Sequence, residues 1–105
     1  MKPVTVKFSH WIPKLFRMGA TTIGHTIYFA GPKESVSLTL FKHEVTHVHQ
    51  AEMAGGTIPF LLTYFWQWVG AGFRYSKIPM EISAYAQQND PLTAEEFREW
   101  QRWFA

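Results

Sequence analysis

Residues 41–50 read Phe-Lys-His-Glu-Val-Thr-His-Val-His-Gln, and the interpretation of the whole chain starts from this stretch. Around it, one stripe of side chains recurs at spacings of 4, 3 and 4: Val36, Leu40, His43 and His47. That is the spacing of one face of an α-helix. Ser35 is a suitable N-cap, because its hydroxyl can accept a hydrogen bond from a free amide of the first turn. Gly55-Gly56 is a typical helix end. The sequence therefore predicts a helix over about residues 35–54 that carries two histidines on its apolar stripe.

Upstream of this helix, the sequence predicts β-strands. Residues 4–8 alternate apolar and polar side chains, and residues 24–31 repeat the pattern. A period of two is typical of a half-buried strand. A short middle strand is predicted around residues 14–18, and Gly31-Pro32 ends the region as a turn. The N-terminal third is therefore predicted to be a small antiparallel sheet.

Downstream, the sequence predicts three further helices. An apolar helix begins at Pro59 and ends near Gly70, and Pro79 suits the first position of a helix over residues 79–88. Thr93 and Glu96 have the spacing of a capping box at the start of the last helix. Because strands come first and helices follow, we expect an α+β fold in one domain over residues 1–105, with the small sheet packed on the histidine-bearing helix.

Composition excludes several classes of function. The chain of 105 residues contains no cysteine, which excludes a disulfide scaffold, a thiolate zinc finger, an iron–sulfur protein and a cysteine nucleophile. Any metal must then be held by histidines and carboxylates. Residues 1–33 contain five basic residues and no acid, but the bases are scattered singly rather than clustered on one element. This pattern does not favour nucleic-acid binding.

The apolar and aromatic segments raise the question of membranes and partners. The N-terminus lacks the apolar core of a signal peptide, so a cytoplasmic protein is expected. The apolar run over residues 59–73 is shorter than the roughly 20 residues of a spanning helix. A buried core helix is favoured there, with an interfacial helix as the alternative. Trp66 and Trp68 flank Gln67 and cannot share one side of a helix, so we expect one in the core and the other as a packing or contact residue. The aromatic-rich surface could contact a protein partner.

His43-Glu44-Val45-Thr46-His47 is an H-E-x-x-H motif, and its chemistry requires a helix. Residues four apart lie on one face, so the two imidazoles can reach one ion. Glu44 lies about 100° round the helix from His43, where its carboxylate stands beside the metal and can take a proton from water. The pattern predicts a zinc site with Glu44 as general base, whereas satisfied core histidines are the alternative.

A catalytic zinc site usually takes three protein ligands, so a third ligand is sought. His49 and Glu52 point about 240° and 180° away from His43 and are excluded by geometry. The extended metzincin pattern needs Gly at 50 and His at 53, where this chain has Gln and Met. Glu81, early in the predicted helix after Pro79, is the best candidate, while His10 and His25 stay open.

The spacing of several motifs resembles that of the small gluzincin-type zinc metallopeptidases called minigluzincins. The resemblance rests on residues 41–50, on Phe73-Arg-Tyr, on residues 78–86 (Ile-Pro-Met-Glu-Ile-Ser-Ala-Tyr-Ala) and on Gly24-His-Thr-Ile-Tyr-Phe. It implies zinc-dependent hydrolysis of peptide bonds, with His43, His47 and Glu81 as ligands and Glu44 as base. It also implies that the strand beginning at residue 24 runs beside the site. Some members of this family are encoded by phages.

Further roles follow for residues near this predicted centre. Tyr75 and Tyr85 could each donate a hydrogen bond to a developing oxyanion, and Tyr75 is the stronger candidate. A peptide substrate is predicted to add to the edge of the second strand, along Gly24, His25, Thr26, Ile27 and Tyr28. Two other classes of function remain open: a non-catalytic zinc-bearing interaction module and a membrane-associated factor.

Overall fold

A computed structural model describes residues 3–15 and 19–104 and contains a small sheet followed by helices. The strands are β1 (Thr5–Lys7), β2 (Ala20–Ile23) and β3 (Thr26–Phe29). The α-helices are α1 (Trp11–Leu15), α2 (Leu38–Ala54), α3 (Thr57–Gly70), α4 (Pro79–Gln87) and α5 (Ala94–Phe104). Single 3-10 turns lie at Lys33–Ser35 and Tyr75–Lys77. The predicted α+β class and the three helices after α2 are confirmed.

The sheet has the strand order β1-β3-β2 and mixed directions. The β2/β3 pair is antiparallel, as predicted, but β1 pairs with β3 in parallel. The prediction of an antiparallel sheet was therefore wrong for this second pairing. The chain returns through α1 and β2 before it enters β3, which brings β3 alongside β1 in the same direction.

The middle strand also lies later in the chain than predicted. Residues 14 and 15 belong to α1, residues 16–18 fall outside the described residues, and the strand begins at Ala20. Its inward positions are Ala20 and Thr22. A small residue and a polar one give little apolar alternation, so the period-two signal is weak at this strand.

The helix α2 begins two residues later than predicted and ends where predicted. Ser37, not Ser35, is the N-cap, and its hydroxyl accepts a hydrogen bond from the amide of Leu40 at 3.1 Å. The Ser35 hydroxyl instead donates to the carbonyl of Pro32. Gly55 ends the helix with a φ of 95°, a conformation that favours glycine because it has no Cβ.

The core lies between the sheet, α2 and α5. Its buried side chains include Val6, Ile27, Phe29, Phe41 and Val45, against which Trp100, Trp103 and Phe104 of α5 pack. The predicted capping box of α5 is confirmed, since the Glu96 amide bonds to the Thr93 hydroxyl and the Thr93 amide bonds to the Glu96 carboxylate. The other face of α2 is left for α3 and α4 and for the histidines.

The prediction of a buried α3 was wrong. Among its side chains only that of Phe60 is fully buried. Both Trp66 and Trp68 are exposed, so the expectation that one of them lies in the core was wrong as well. They lie at opposite edges of the outward face, while Gln67 between them points inward and accepts a hydrogen bond from the Met80 amide at 3.0 Å. Of the described helices, none combines the length and apolar character that crossing a membrane requires.

Candidate metal centre

Two helices bring three side chains of the sequence prediction to one point. His43 and His47 lie one turn apart on α2, and Glu81 lies in the first turn of α4, which packs across α2. The Nε2 atoms of His43 and His47 each lie 3.0 Å from the same oxygen, Oε1 of Glu81. All three residues are buried. Two imidazole nitrogens and one carboxylate oxygen therefore converge from two separate elements.

The outer nitrogen of each imidazole contacts a glutamine, and this contact determines where the inner nitrogen carries its lone pair. The Gln50 amide nitrogen donates to the Met80 carbonyl at 3.0 Å, which leaves its oxygen to face His47 Nδ1 at 2.8 Å. Since an amide oxygen only accepts, Nδ1 carries a proton, so Nε2 is the nitrogen that a neutral His47 ring would offer to a cation. Gln88 Oε1 faces His43 Nδ1 at 3.1 Å in the same way.

This arrangement fits a bound cation. Without one, two Nε2 lone pairs would face a carboxylate oxygen unless both rings were protonated. A hydrogen bond from Nδ1 to a fixed acceptor is the usual support of a metal-binding histidine. Tetrahedral zinc with bonds near 2.1 Å separates its ligand atoms by about 3.4 Å, so the present 3.0 Å spacing needs only a small expansion.

The charges of the centre are coupled. Burial alone would raise the pKa of Glu81, but hydrogen bonds with His43 and His47 lower it well below its usual range. Burial alone would lower the pKa of His47, but its hydrogen bond with Glu81 and the charge of that carboxylate raise it overall. The Glu81 carboxylate is therefore anionic, as a metal ligand must be.

Glu44 lies beside this centre and is held by the sheet. The Thr22 hydroxyl of β2 contacts Glu44 Oε1 at 2.8 Å, and the Glu44 side chain is buried. Candidate ligand atoms of His43, Glu44 and His47 all lie within 4.8 Å of one another. Burial raises the pKa of Glu44, against the smaller lowering effects of His47 and Thr22. A carboxylate whose pKa is raised by burial is a stronger base than an exposed one.

Two tyrosines complete the carboxylate side of the centre. The Tyr64 hydroxyl of α3 donates to Glu81 Oε2 at 2.7 Å and so orients the carboxylate. Burial and the Glu81 charge raise the pKa of both Tyr64 and Tyr75, so both hydroxyls keep their protons. Tyr85 stacks edge-on against His43, with ring centroids 4.6 Å apart.

A cleft opens on both sides of Glu44. On the His43 side it is lined by Leu40, Tyr85 and Gln88, and on the His47 side a smaller apolar cavity of about 260 Å³ is lined by Ile23, Phe60 and Leu61. Ala20, Glu44 and Tyr75 line both. The centre is therefore reachable by a ligand from either side, and β2 forms one wall.

The structure corrects the predicted peptide-binding strand. β3 is the central strand, because β1 pairs with it on one side and β2 on the other. Gly24, His25, Thr26, Ile27 and Tyr28 therefore have no open edge that a peptide could join. Ile27 is fully buried, and His25 faces Glu52 at 3.4 Å. The strand at the sheet edge beside the cleft is β2.

The histidines that sequence reasoning set aside or left open lie away from the centre. His49 Nε2 contacts Glu96 Oε2 at 2.9 Å, on the α5 side of α2. The His10 ring stacks on Tyr28 with centroids 4.6 Å apart. Neither is among the side chains that converge with Glu81.

Sequence reasoning did not assign roles to the four residues that support the centre: Thr22, Gln50, Tyr64 and Gln88. Gln50 had a usable signal, because it lies three residues after His47 and helix neighbours at that spacing meet. The other three come from β2, α3 and the end of α4, and their approach depends on how these elements pack.

Comparison with known proteins gives no relative from which to transfer a function: no protein-family model, curated protein or solved structure matches this chain significantly. The function is therefore argued from the geometry alone.

Proposed function

We propose that this protein is a zinc-dependent metallopeptidase that hydrolyses peptide bonds in the cleft beside α2. The proposal rests chiefly on one observation: the Nε2 atoms of His43 and His47 both lie 3.0 Å from Glu81 Oε1, with the buried Glu44 carboxylate alongside. Zinc is proposed because it takes imidazole nitrogen and carboxylate oxygen ligands. When bound, zinc would acidify water and polarise a carbonyl group.

The chain's own residues would then perform the proton transfers. His43, His47 and Glu81 would hold the ion, and Gln50, Gln88 and Tyr64 would hold those ligands in place. Glu44 would take the proton of the attacking water and pass it to the leaving amine. The Thr22 hydroxyl keeps the Glu44 carboxylate directed into the cleft.

Tyr75 is proposed to stabilise the charge that develops on the scissile carbonyl. It lines both halves of the cleft, and its raised pKa keeps the hydroxyl protonated as a donor. A donor placed where charge develops is worth more in the transition state than in the ground state. An extended substrate would lie along β2, the edge strand whose residues Ala20–Ile23 line the cleft, as an added strand.

The test is metal analysis of the purified protein beside a broad peptide-cleavage screen, on the wild type and Glu44→Gln. Both proteins should bind one zinc ion per chain, and the variant should lose about 10²–10⁴ in rate because the general base is gone. Gln keeps an oxygen that can accept from Thr22, so the fold should survive. The matched control is Glu34→Gln, which alters an exposed carboxylate on a 3-10 turn. It should change neither the zinc content nor the cleavage rate.

Cleavage that survives Glu44→Gln would remove this residue from the mechanism, and a folded protein that does not take up zinc would overturn the metal site. Stoichiometric zinc without cleavage of any peptide would instead support a non-catalytic interaction module.

A further inference from the structure

The helix α3 presents an apolar surface that no other part of the described chain covers. Six of its large hydrophobic side chains are exposed and are called here the α3 face: Ile58, Leu61, Leu62, Phe65, Trp66 and Trp68. At 100° per residue they span an arc of about 160°, with Trp66 and Trp68 at its two edges. Phe60, Tyr64 and Gln67 lie on the opposite side and face the protein. The α3 face is therefore a continuous apolar strip along the whole helix.

The α3 face is too extensive to be an ordinary piece of surface. Trp66 is 67% exposed and Ile58 is 66% exposed. Phe73, which follows the helix, is also exposed and packs edge-on against Trp68 with centroids 4.7 Å apart, which extends the strip. Large contiguous apolar patches on soluble domains mark sites that contact another protein or a membrane.

We propose that the α3 face docks this protein onto the surface of an anionic lipid bilayer. The charge of the surrounding segment supports this occupant. From Met53 to Met80 the sequence contains no acidic residue, and its two charged residues are Arg74 and Lys77. Both are exposed and lie just beyond the end of α3. Basic residues beside an apolar face add attraction to anionic headgroups.

The side-chain chemistry of the strip fits lipid better than a protein partner. Protein interfaces carry roughly one hydrogen bond per 100–200 Å², whereas the only polar groups that these six side chains contain are the indole N–H groups of Trp66 and Trp68. Those two lie at the edges of the arc, where an amphipathic ring reaches the headgroup level of a membrane. The 14 residues of α3 extend about 21 Å, less than the roughly 30 Å hydrocarbon core. The helix would therefore lie in the plane of the interface.

The test is co-sedimentation of the purified, folded chain with vesicles of phosphatidylcholine alone and of phosphatidylcholine with about 30% phosphatidylserine, in low and high salt. Binding should be stronger to the anionic vesicles and fall with added salt. Phe65→Ser should lower the partition coefficient about tenfold, because an aromatic side chain no longer enters the apolar region. Phe97→Ser on α5 is the matched control, since Phe97 is 49% exposed against 50% for Phe65.

A second pair of variants tests the charge. Arg74→Glu with Lys77→Glu should reduce binding to anionic vesicles by more than about tenfold. Lys7→Glu with Lys33→Glu changes the net charge equally at exposed sites elsewhere and should retain most of the binding. Circular dichroism of each variant establishes that it is folded.

Three results would overturn the proposal. One is a folded wild type that binds neither vesicle. Another is equal loss of binding in Phe65→Ser and Phe97→Ser. The third is a dimer in sedimentation velocity that Phe65→Ser dissociates while vesicles bind nothing, which would assign the α3 face to a second copy of this chain. Lipid binding by the α3 face would need neither zinc nor Glu44. The vesicle test and the test of hydrolysis can therefore each fail without affecting the other.

Discussion

The helices α2 and α3 reverse the usual relation between polarity and burial. α2 buries five polar side chains within six residues: Lys42, His43, Glu44, Thr46 and His47. α3, in contrast, exposes most of its apolar side chains as the α3 face. Burying an unpaired polar group is costly. α2 can do so because each of the five has a bonded partner in the structure: Glu96, Glu81, Thr22, the Lys42 carbonyl and Gln50 are among them.

The difference teaches where function resides in this chain. A domain of this size gains stability by burying apolar surface, yet here it places a charged cluster inside and leaves tryptophans outside. Neither choice is explained by folding alone. The proposed metal centre would account for the buried cluster, and the proposed lipid-binding surface would account for the exposed strip. The inner side of α3, opposite the exposed strip, reaches the buried cluster through Tyr64, whose hydroxyl donates to Glu81.

The largest effect should come from removing the carboxylate on which the two histidines converge. Glu81→Ala is expected to weaken zinc binding by more than about 100-fold, because loss of a supporting residue alone typically costs 10–100-fold. Hydrolysis should be lost with the metal. Isothermal titration calorimetry with zinc measures the change, and His49→Ala, on the opposite side of α2, should leave zinc affinity unchanged. Equal losses in the two variants would show that the buried polar set of α2 is not organised around Glu81.

A second effect should come from the Lys42–Glu96 ion pair, which links the buried polar set of α2 to α5 rather than to the candidate metal centre. Burial alone would raise the pKa of Glu96, but Lys42, the Thr93 amide and His49 lower it below its usual 4.5. Its contribution to stability is therefore complete above pH 4.5 and is lost as the pH falls through the folded-state pKa. Glu96→Gln keeps an amide oxygen that can accept from Lys42 but leaves the buried ammonium without a counter-charge, so it should lower the free energy of unfolding at pH 7 by about 3–5 kcal/mol.

Urea unfolding at pH 7 and near pH 3 measures this difference. The difference in the free energy of unfolding between wild type and Glu96→Gln should be smaller at the lower pH, because the wild-type carboxyl group is then increasingly neutral. Glu34→Gln, at an exposed position, should show no gap at either pH. A gap of the same size at both values would attribute the loss to packing rather than to the ion pair.

The smallest effect should come from α3. Phe65→Ala should change the free energy of unfolding by no more than about 0.5 kcal/mol, because the side chain is exposed. Phe60→Ala, five residues earlier on the same helix but buried, should cost about 3–5 kcal/mol. Thermal or urea unfolding of the two variants compares the inner and outer sides of one helix. A large loss in Phe65→Ala would mean that the α3 face supports the fold, and the contrast with α2 would disappear.

Prediction from sequence succeeded where the signal is local. The helical spacing of His43 and His47, the glycine pair after α2, the position of Pro79 and the capping box at Thr93 each depend on residues within one or two turns. The α+β class followed from the order of such segments. These features need no knowledge of what packs against them, because backbone geometry alone sets their spacing.

Prediction failed where the answer depends on packing between distant segments. The parallel pairing of β1 with β3 and the central place of β3 depend on strand order, which the alternation of side chains does not encode. The exposure of α3 was missed because an apolar sequence has the same pattern whether it faces a core, a partner or a bilayer.

What the amino-acid sequence by itself determined is that two histidines and a glutamate share one turn of a helix, since 3.6 residues per turn places them there in any fold. What only the tertiary structure decided is that Glu81 of α4 contacts His43, that Thr22 of β2 contacts Glu44, and that Tyr64 of α3 contacts Glu81. The physical reason is that side-chain convergence across elements is set by the packing of the whole chain, which sums many weak contacts, whereas convergence within a helix is set by its backbone.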